Sequence, residues 1–584
     1  MNLSDTVEAK SEEHNPPPTQ DRVISLDDLN CGNCFDILKK KGFKDEVEKL
    51  TENGLTPSTV LDTTTEELEQ CGISRPAINV LKDISEGLYT CKIVNDPIHG
   101  HFEIHPLCVK IIDTQQFQRL RYLKQLGAKY YVYPGASHNR FEHSLGVCYL
   151  AGEFVSMLRK RQPELNISDN DILCVQIAGL CHDLGHGPFS HMFDDKFLPA
   201  ARPGNKIKHE QLSVEMFDFL VESNKLSSTF EKYGLTEEDR DFIKEQIADP
   251  LQKSGRYHGT RASKKGFLYE IVSNKRNEID VDKWDYFARD CHMLGFRNNF
   301  DHIRCMKCAR VLSVDGELQI CFRDKEVGNL YDMFHTRNTL QRLACQHRVG
   351  NIIEAMITEA MLEADKVTSI IPGKNGEHWK IWESVDDMEV YQKVTDDIFQ
   401  QILWSNDKAL EKSRKILLKI QNRELYKCVG QTRRSISEKL EDEKIKEELF
   451  TILRDNNSDL TREDIVTHSV TMDYGMRDQN PIEHVRFYGK KDPKKPFKIP
   501  RNEVSNFIPE NFAEQLIEIY CKKKDGKSIT QATEAFKKWI SKYTVSGDNS
   551  KGSEHTVSTA GTSTANSPLQ NVPNQEITSH LSYD

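Results

Sequence analysis

The chain has 584 residues, room for two to four domains at roughly 150 residues each and for at least one large apolar core. With 37% hydrophobic and 29% charged residues it is neither a fibre nor a wholly disordered chain. Its 79 basic and 90 acidic side chains leave a net charge of −11, which excludes a uniformly basic nucleic-acid coat but permits local basic pockets for polyanions.

In chain order, residues 1–22 are polar and acidic around Pro16-Pro17-Pro18 and are expected to be disordered. Residues 23–90 read as a compact helical unit. Helices are predicted at Cys34–Lys41, Glu46–Leu50, Thr56–Leu61, Thr65–Cys71 and, after Ile73-Ser74-Arg75-Pro76, at Ala77–Leu88. Five short helices ending in a longer amphipathic one resemble a sterile alpha motif (SAM) domain. Residues 91–544 are dominantly helical by period, with segments at 114–126, 140–160, 170–181, 212–223, 281–293, 329–345 and 348–365. Strand candidates are few: Leu318–Phe322 after the Asp315-Gly316 turn, and Val485–Tyr488. The fold class is therefore mainly α, with small β additions. Residues 545–584 are rich in Ser and Thr and are expected to form a disordered tail.

No run of about 18 apolar residues occurs, so no membrane span is expected. Met1-Asn2-Leu3-Ser4-Asp5 lacks the basic and apolar regions of a signal peptide. The 15 cysteines, mostly inside apolar stretches, fit reduced thiols in the cytoplasm or nucleus. Cys305 and Cys308 have no second pair at zinc-finger spacing and are read as incidental.

The chemistry concentrates in Ile177-Ala-Gly-Leu-Cys-His182-Asp183-Leu-Gly-His186-Gly-Pro-Phe-Ser-His191. An apolar helix ends in a His-Asp pair and breaks at Gly185, Gly187 and Pro188, which suits a metal site beside an anionic substrate. Upstream stands Ser137-His138-Asn139-Arg140-Phe141-Glu142-His143; downstream stands Asp280-Val281-Asp282-Lys283-Trp284-Asp285-Tyr286-Phe287-Ala288-Arg289-Asp290. His143, His182, Asp183 and Asp282 make a nitrogen and oxygen donor set suited to zinc, iron or manganese. Asp282, Tyr286 and Asp290 recur at helical spacing on one face. Arg140, one turn before His143, and Lys283 are phosphate-binding candidates. His186, His191 and His209 are acid and base candidates near neutral pH. Asp285 and Arg289 are read as a solvated helix face.

This ordered His…His-Asp…Asp pattern resembles the HD phosphohydrolase superfamily. Asn95-Asp-Pro-Ile-His-Gly-His101, Phe117-Gln-Arg-Leu-Arg121, Pro134–His143 and Tyr331-Asp-Met-Phe-His-Thr-Arg337-Asn338 resemble, more narrowly, the metazoan SAM- and HD-domain deoxynucleoside triphosphate triphosphohydrolases. The resemblance runs from about residue 25 to about 540. It implies cleavage of a dNTP at the α-phosphate into deoxynucleoside and inorganic triphosphate. His143, His182, Asp183 and Asp282 would hold the metal; His209 and Asp183 would activate or orient water; His191 would protonate the leaving oxygen, with His186 close by. Arg140, Lys283 and Arg337 would bind the triphosphate, with Gln346 also lining the pocket. Gln125 and Leu126 would exclude a 2′-hydroxyl, Tyr286 would pack under the sugar, and Asp290 would hold the 3′-hydroxyl.

The resemblance also implies activation by nucleotide-driven assembly into a homotetramer, with magnesium accompanying the nucleotides. GTP or dGTP would occupy Lys92, Ile93, Asp113, Gln118, Arg121, Arg423 and Lys427, where Asp113 can accept from the guanine N1 and N2 donors. A dNTP would occupy Asn95, His101, Val132, Tyr133, Arg304, Arg323, Lys325, His347, Arg348 and Arg501. By the same analogy the enzyme controls dNTP pools, restricts reverse-transcribing viruses and acts in the nucleus, although no clear import signal is present. The chain departs from the family at Cys345, where a Tyr is usual, and at Leu343, where an Arg is usual. Two other readings compete. One is a nucleotide-regulated scaffold for RNA or single-stranded DNA with weak catalysis; the other is an HD enzyme acting on another phosphoester. Gln125, Leu126, Arg140, Lys283, Tyr286 and Asp290 together describe one deoxynucleotide pocket and argue against the last. A protein partner for the SAM unit is not legible.

Overall fold

The computed structural model describes residues 23–248, 251–252, 256–504 and 509–544; the segments expected to be disordered, 1–22 and 545–584, lie outside them. The described residues divide into two compact units. One spans 23–426, 433–439 and 469–516, and the other 427–432, 440–468 and 517 onward.

In the first unit, helices Cys34–Lys40, Lys44–Glu52, Thr65–Gln70 and Arg75–Ser85 enclose a small apolar core of Phe35, Leu38, Val47, Leu50, Leu68, Ile78 and Leu81. The expected helix at Thr56–Leu61 is only one tight turn, Val60–Asp62, because Thr56 and Thr59 satisfy each other locally through hydroxyl bonds. A hairpin follows. Its strands Lys92–Asp96 and Gly100–Ile104 pair antiparallel from Lys92 opposite Ile104 to Asp96 opposite Gly100.

The centre of this unit is a set of long buried helices. Helix Arg140–Arg161 starts where Asn139 and Glu142 cap one another and ends on three basic residues, matching the helix dipole at both ends. The short connector 162–168 folds helix Asp169–Cys181, capped by Ser168 and Asp171, back along it. Gly179 permits the close approach: a Cβ there would sit 3.1 Å from the Val147 carbonyl. Helix Val281–Leu294, capped by Asp280 and stopped by Gly295 in the left-handed conformation, packs on helix Arg140–Arg161 and buries Trp284 and Phe287.

The segment 114–126 is not one helix. It coils over Gln115–Gln118, tightens over Arg119–Tyr122 and is extended at Leu123. Arg119 is drawn inward to the carbonyls of Val394 and Leu184, and the Lys124 amide is captured by Asp396, so the helix cannot continue. Helix Val327–Leu340 ends in a widened turn, Gln341–Cys345, with i→i+5 spacing. A four-stranded sheet orders its strands as Pro496–Phe497, Phe487–Tyr488, Glu317–Arg323 and Ala309–Val314. Strand content thus exceeds the two expected segments. The first hairpin strand lacks the alternation of a half-buried strand, and Ile93 within it is 66% exposed.

The second unit packs helices Asp442–Asp455 and Gly526–Thr544 over an apolar core of Ile445, Leu449, Leu453, Ile517, Ile519, Phe536 and Trp539. Strands Lys427–Ser435, Ala513–Cys521 and Ile465–Asp473, in that spatial order, form a three-stranded sheet. Among the described residues no helix is long and apolar enough to cross a membrane, and all 15 cysteines are free thiols.

Within the first unit, Glu354 accepts from Lys129 at 2.7 Å and from Lys196 at 2.6 Å. Burial would raise its pKa, but the two ammonium groups bring it down to about 2. The folded value lies below the unfolded one, so this pair contributes stability above the unfolded pKa of 4.5, lost as pH falls towards 2. Glu354→Gln should lower unfolding free energy at pH 7 by roughly 3 kcal/mol, because a buried ammonium loses its counter-charge. The melting-temperature gap to wild type should close between pH 4.5 and pH 2; a gap independent of pH would disprove the linkage.

Candidate metal centre

Two helix starts and one helix end converge in the first unit. The cap at Asn139 sets Arg140 and His143 in the first turn of one helix, and Asp280 caps the first turn that carries Asp282. His182 and Asp183 follow the last turn of helix Asp169–Cys181. Ser213 holds that end by donating to the His182 carbonyl at 2.7 Å and accepting the Gly185 amide at 2.9 Å. Gly185 is needed here, since a Cβ would fall 2.3 Å from the His209 carbonyl.

The result is a tight cluster. His143 Nε2 lies 3.1 Å from Asp282 Oδ1 and 3.5 Å from Asp183 Oδ2; His182 Nε2 lies 3.4 Å from Asp183 Oδ1 and 3.5 Å from Asp282 Oδ1. The far ring nitrogens are already engaged: His143 Nδ1 donates to Asp285 Oδ2 at 2.7 Å and His182 Nδ1 to the Gly179 carbonyl at 2.8 Å. Each imidazole therefore turns its Nε2 lone pair into the cluster, and both Nε2 atoms are buried without a hydrogen-bond partner. Burial opposes charge on His143, yet the nearby Asp282 and Asp285 carboxylates push its pKa up to about 10. Burial likewise opposes the Asp183 carboxylate, which the charges of Arg140, His182 and His186 nevertheless hold well below the usual range. Such a site calls for positive charge, and its donors fit a divalent transition metal. His143, His182 and Asp183 have ligand atoms close enough to share one ion.

Beside it, His186, His191, Asp194 and His209 form a second cluster. The His186 and His209 rings stack with centroids 3.9 Å apart, and His209 Nδ1 lies 3.0 Å from Asp194 Oδ2. Burial opposes charge on His209, but Asp194 raises its pKa; burial and the nearby Arg140 and His209 charges take His191 down to about 3. Phe189 and Ser190, with φ of 59° and 57°, hold consecutive left-handed conformations in this loop. They are pinned by Asp396, which accepts the Phe189 amide at 2.6 Å and the Lys124 amide at 2.9 Å, and by Ser190 Oγ donating to the Lys124 carbonyl at 2.7 Å.

The other expected residues divide by surroundings. Arg140 Nη1 pairs with Asp183 Oδ2 at 2.6 Å, Nε with Ser190 Oγ at 3.0 Å and Nη2 with the Gln125 carbonyl at 3.3 Å. Gln125 is buried with Oε1 unpartnered, and Leu126 follows it, half-buried. Lys283 is held between Glu278 and Asp280, each at 2.9 Å. Arg337 contacts the Tyr286 hydroxyl at 3.3 Å and Asp473 at 3.4 Å. Asp290 Oδ1 accepts from His138 at 2.6 Å. Gln346 accepts from Asn351 at 3.4 Å, and Cys345 lies in the widened turn, its thiol pushed by burial up to about 12.

Of the first nucleotide set, Lys92 and Ile93 lie on the hairpin, Asp113 is exposed at a helix end, Arg121 donates to Gln118 at 2.7 Å, and Arg423 to the Tyr131 carbonyl at 3.0 Å. Lys427 opens its own strand. Of the second, Asn95 faces His101 across the hairpin, and the Tyr133 ring, next to Val132, lies 5.6 Å from that of His347. Arg304 pairs with Glu326, Arg323 with Asp324, and Arg501 with the Pro509 carbonyl. Lys325 and Arg348 sit at the starts of helical segments.

The structure corrects one reading outright. Asp285 and Arg289 are not solvated: they are 0% and 1% exposed, and Asp285 binds a candidate metal ligand. Helical period places Asp285 and Arg289 on one face but does not show what covers it. Their i, i+4 spacing of opposite charge was the available signal, along with Asp96 inside the Asn95–His101 motif. Asp194, Ser190, His138 and Asp396 were likewise overlooked.

An HD domain matches residues 140–290, the segment carrying every ligand of the cluster. This fold and site define an HD-type, divalent-metal phosphohydrolase domain. The chain is 53% identical over 86% of its length to the human deoxynucleoside triphosphate triphosphohydrolase SAMHD1, covering 83% of it. It is 55% identical to the Xenopus laevis protein of that name (77% of this chain, 74% of that one) and 37% to the Dictyostelium discoideum homolog (78% and 82%). The chain belongs to the SAMHD1 family of deoxynucleoside triphosphate triphosphohydrolases.

His182→Ala should reduce bound transition metal, read by elemental analysis of the purified protein, by at least tenfold while the far-ultraviolet spectrum stays helical. Undiminished metal would remove His182 from the ligand set.

Proposed function

We propose that the chain hydrolyses deoxynucleoside triphosphates at the α-phosphate, releasing deoxynucleoside and inorganic triphosphate. The carrying observation is the pair of buried, unpartnered Nε2 atoms of His143 and His182 turned onto Asp183 and Asp282, within a family of triphosphohydrolases. These four residues would hold zinc, iron or manganese, which when bound lowers the pKa of water and polarises a phosphate oxygen.

The remaining work falls to the chain's own groups. Arg140, fixed by three hydrogen bonds, presents a planar cation where the triphosphate's charge would lie. Asp194 keeps His209 basic and oriented, so His209 with Asp183 can align a water on the α-phosphorus. As the water oxygen bonds to phosphorus and gives up a proton to His209, the bond to O5′ breaks and His191 delivers a proton to that oxygen. Burial and the neighbouring Arg140 and His209 charges lower the pKa of His191, and the substrate's negative charge would act in the opposite direction, favouring the protonated form that serves as acid. Gln125 and Leu126 would close on the sugar's 2′ face, with Tyr286 beneath it and the second Asp290 oxygen on the 3′-hydroxyl. Lys283 would exchange Glu278 or Asp280 for phosphate, with Arg337 and Gln346 alongside.

The same reading includes activation by GTP or dGTP and by a dNTP, with magnesium, through a homotetramer. Support comes from the exposed Ile93 on a hairpin that also carries Lys92, Asn95 and His101. It also includes a SAM domain at 23–90 ahead of a catalytic core at 91–544, supported by the separate apolar core of the first helices. A role in dNTP control and antiviral restriction, in nucleus or cytoplasm, belongs to the reading by family analogy.

Product analysis of the purified protein with GTP, dATP and Mn²⁺ should give deoxyadenosine and intact triphosphate. Metal-loaded protein without turnover would favour the RNA or single-stranded DNA scaffold, and binding that falls steeply with salt would then be sought. Asp113→Ala should lose activation by GTP while keeping wild-type metal content; full activation would exclude Asp113 from guanine recognition.

A further inference from the structure

A chain of buried charge runs from the hairpin to the rear of His143. Asp285 Oδ2 accepts from His143 Nδ1 at 2.7 Å and from Arg289 Nε at 2.8 Å. Its other oxygen accepts from His99 Nε2 at 2.7 Å and from Arg289 Nη2 at 2.9 Å. Arg289 Nη1 continues to Asp96 Oδ2 at 2.9 Å. Asp96 ends the first hairpin strand, and its Oδ1 holds the turn by accepting the amides of Ile98 and His99 at 2.8 and 2.9 Å. Space for the chain is built in: a Cβ on Gly146, one turn beyond His143, would fall 1.9 Å from Asp285 Oδ1 and 2.5 Å from Arg289 Nη2.

The arrangement does more than neutralise charge. A buried ionic network returns little net stability for the desolvation it requires. Here all four carboxylate lone-pair directions of Asp285 are used, so its orientation is fixed from two sides, and one of those bonds selects the His143 tautomer that leaves Nε2 unprotonated. We propose that Asp285 is the positioning residue for His143, and that Arg289, Asp96 and His99 make the metal affinity of His143 depend on the seating of the 92–104 hairpin. This rests on the metal-site reading above. It gives the hairpin, which carries Lys92, Ile93 and Asn95, a short, buried, hydrogen-bonded route to His143.

The test uses the full chain loaded with Mn²⁺, with metal retention followed during dialysis against a chelator, and with the ligand-field absorption of the Co²⁺-loaded protein. Asp285→Asn should weaken metal affinity by about 10- to 100-fold and shift the Co²⁺ spectrum. Asp96→Asn and His99→Gln should act in the same direction by several-fold. Asp365→Asn, a buried carboxylate holding the Ile381 and Trp382 amides elsewhere, should leave both readouts unchanged. If Asp285→Asn does not fold, His99→Gln, which removes one partner and leaves Arg289, carries the test. His143→Ala with wild-type metal content would overturn the metal site itself. Metal lost in His143→Ala but held normally in Asp285→Asn would overturn the positioning role alone. Loss in Asp285→Asn with no change in Asp96→Asn and His99→Gln would overturn the link to the hairpin.

Discussion

Asp183, which is buried, and Asp282, which is half-buried, lie within 3.5 Å of two imidazole nitrogens and cannot sit together without positive charge among them. Protons on the histidines can supply it, since the surrounding carboxylates raise the pKa of His143, and so can a divalent ion. Much of the first unit serves this requirement. Helix caps at Asn139 and Asp280 bring side chains in at helix starts, and the chain break after Cys181 delivers His182 and Asp183 from the opposite direction. Glycines at 146, 179 and 185 allow the approaches that bulkier residues would block.

A second layer keeps the neighbouring catalytic candidates in different protonation states. His186, His191 and His209 lie within one cluster, yet only His209 faces Asp194 closely enough to gain basicity. Burial and the Arg140 guanidinium hold the other two neutral. Residues whose environments push their pKa values apart can serve as acid and base in one reaction. The loop that presents them is strained at Phe189 and Ser190, and Asp396 secures it together with the Lys124–Leu126 segment. One buried carboxylate thus sets the spacing between the histidine loop and the residues expected to meet the sugar.

The same economy extends to the hairpin. Its strands are polar and partly exposed, and their place is decided by Asp96 and His99 reaching inward to Arg289 and Asp285.

The metal ligands were legible because a His-Asp pair at a helix end, a His one turn into another helix and a later Asp are few, ordered and chemically unusual. The long helices were legible because apolar period survives without knowledge of neighbours: the segments at 140–160, 170–181 and 281–293 differ from the observed helices by a residue or so. The hairpin was not, because its first strand lacks the alternation of a half-buried strand, and the end of the 114–126 helix was not, because Arg119 and Lys124 find partners some 270 residues away. Asp285 and Arg289 show the limit most clearly. Sequence by itself determined the helical class, the family and the candidate donors of the cluster. Only the tertiary structure decided which nitrogen of each histidine faces the cluster, which carboxylates line it and which lie behind it, and which charged helix positions are buried. Those outcomes depend on groups brought close by folding, and spacing along one helix carries no record of what covers it.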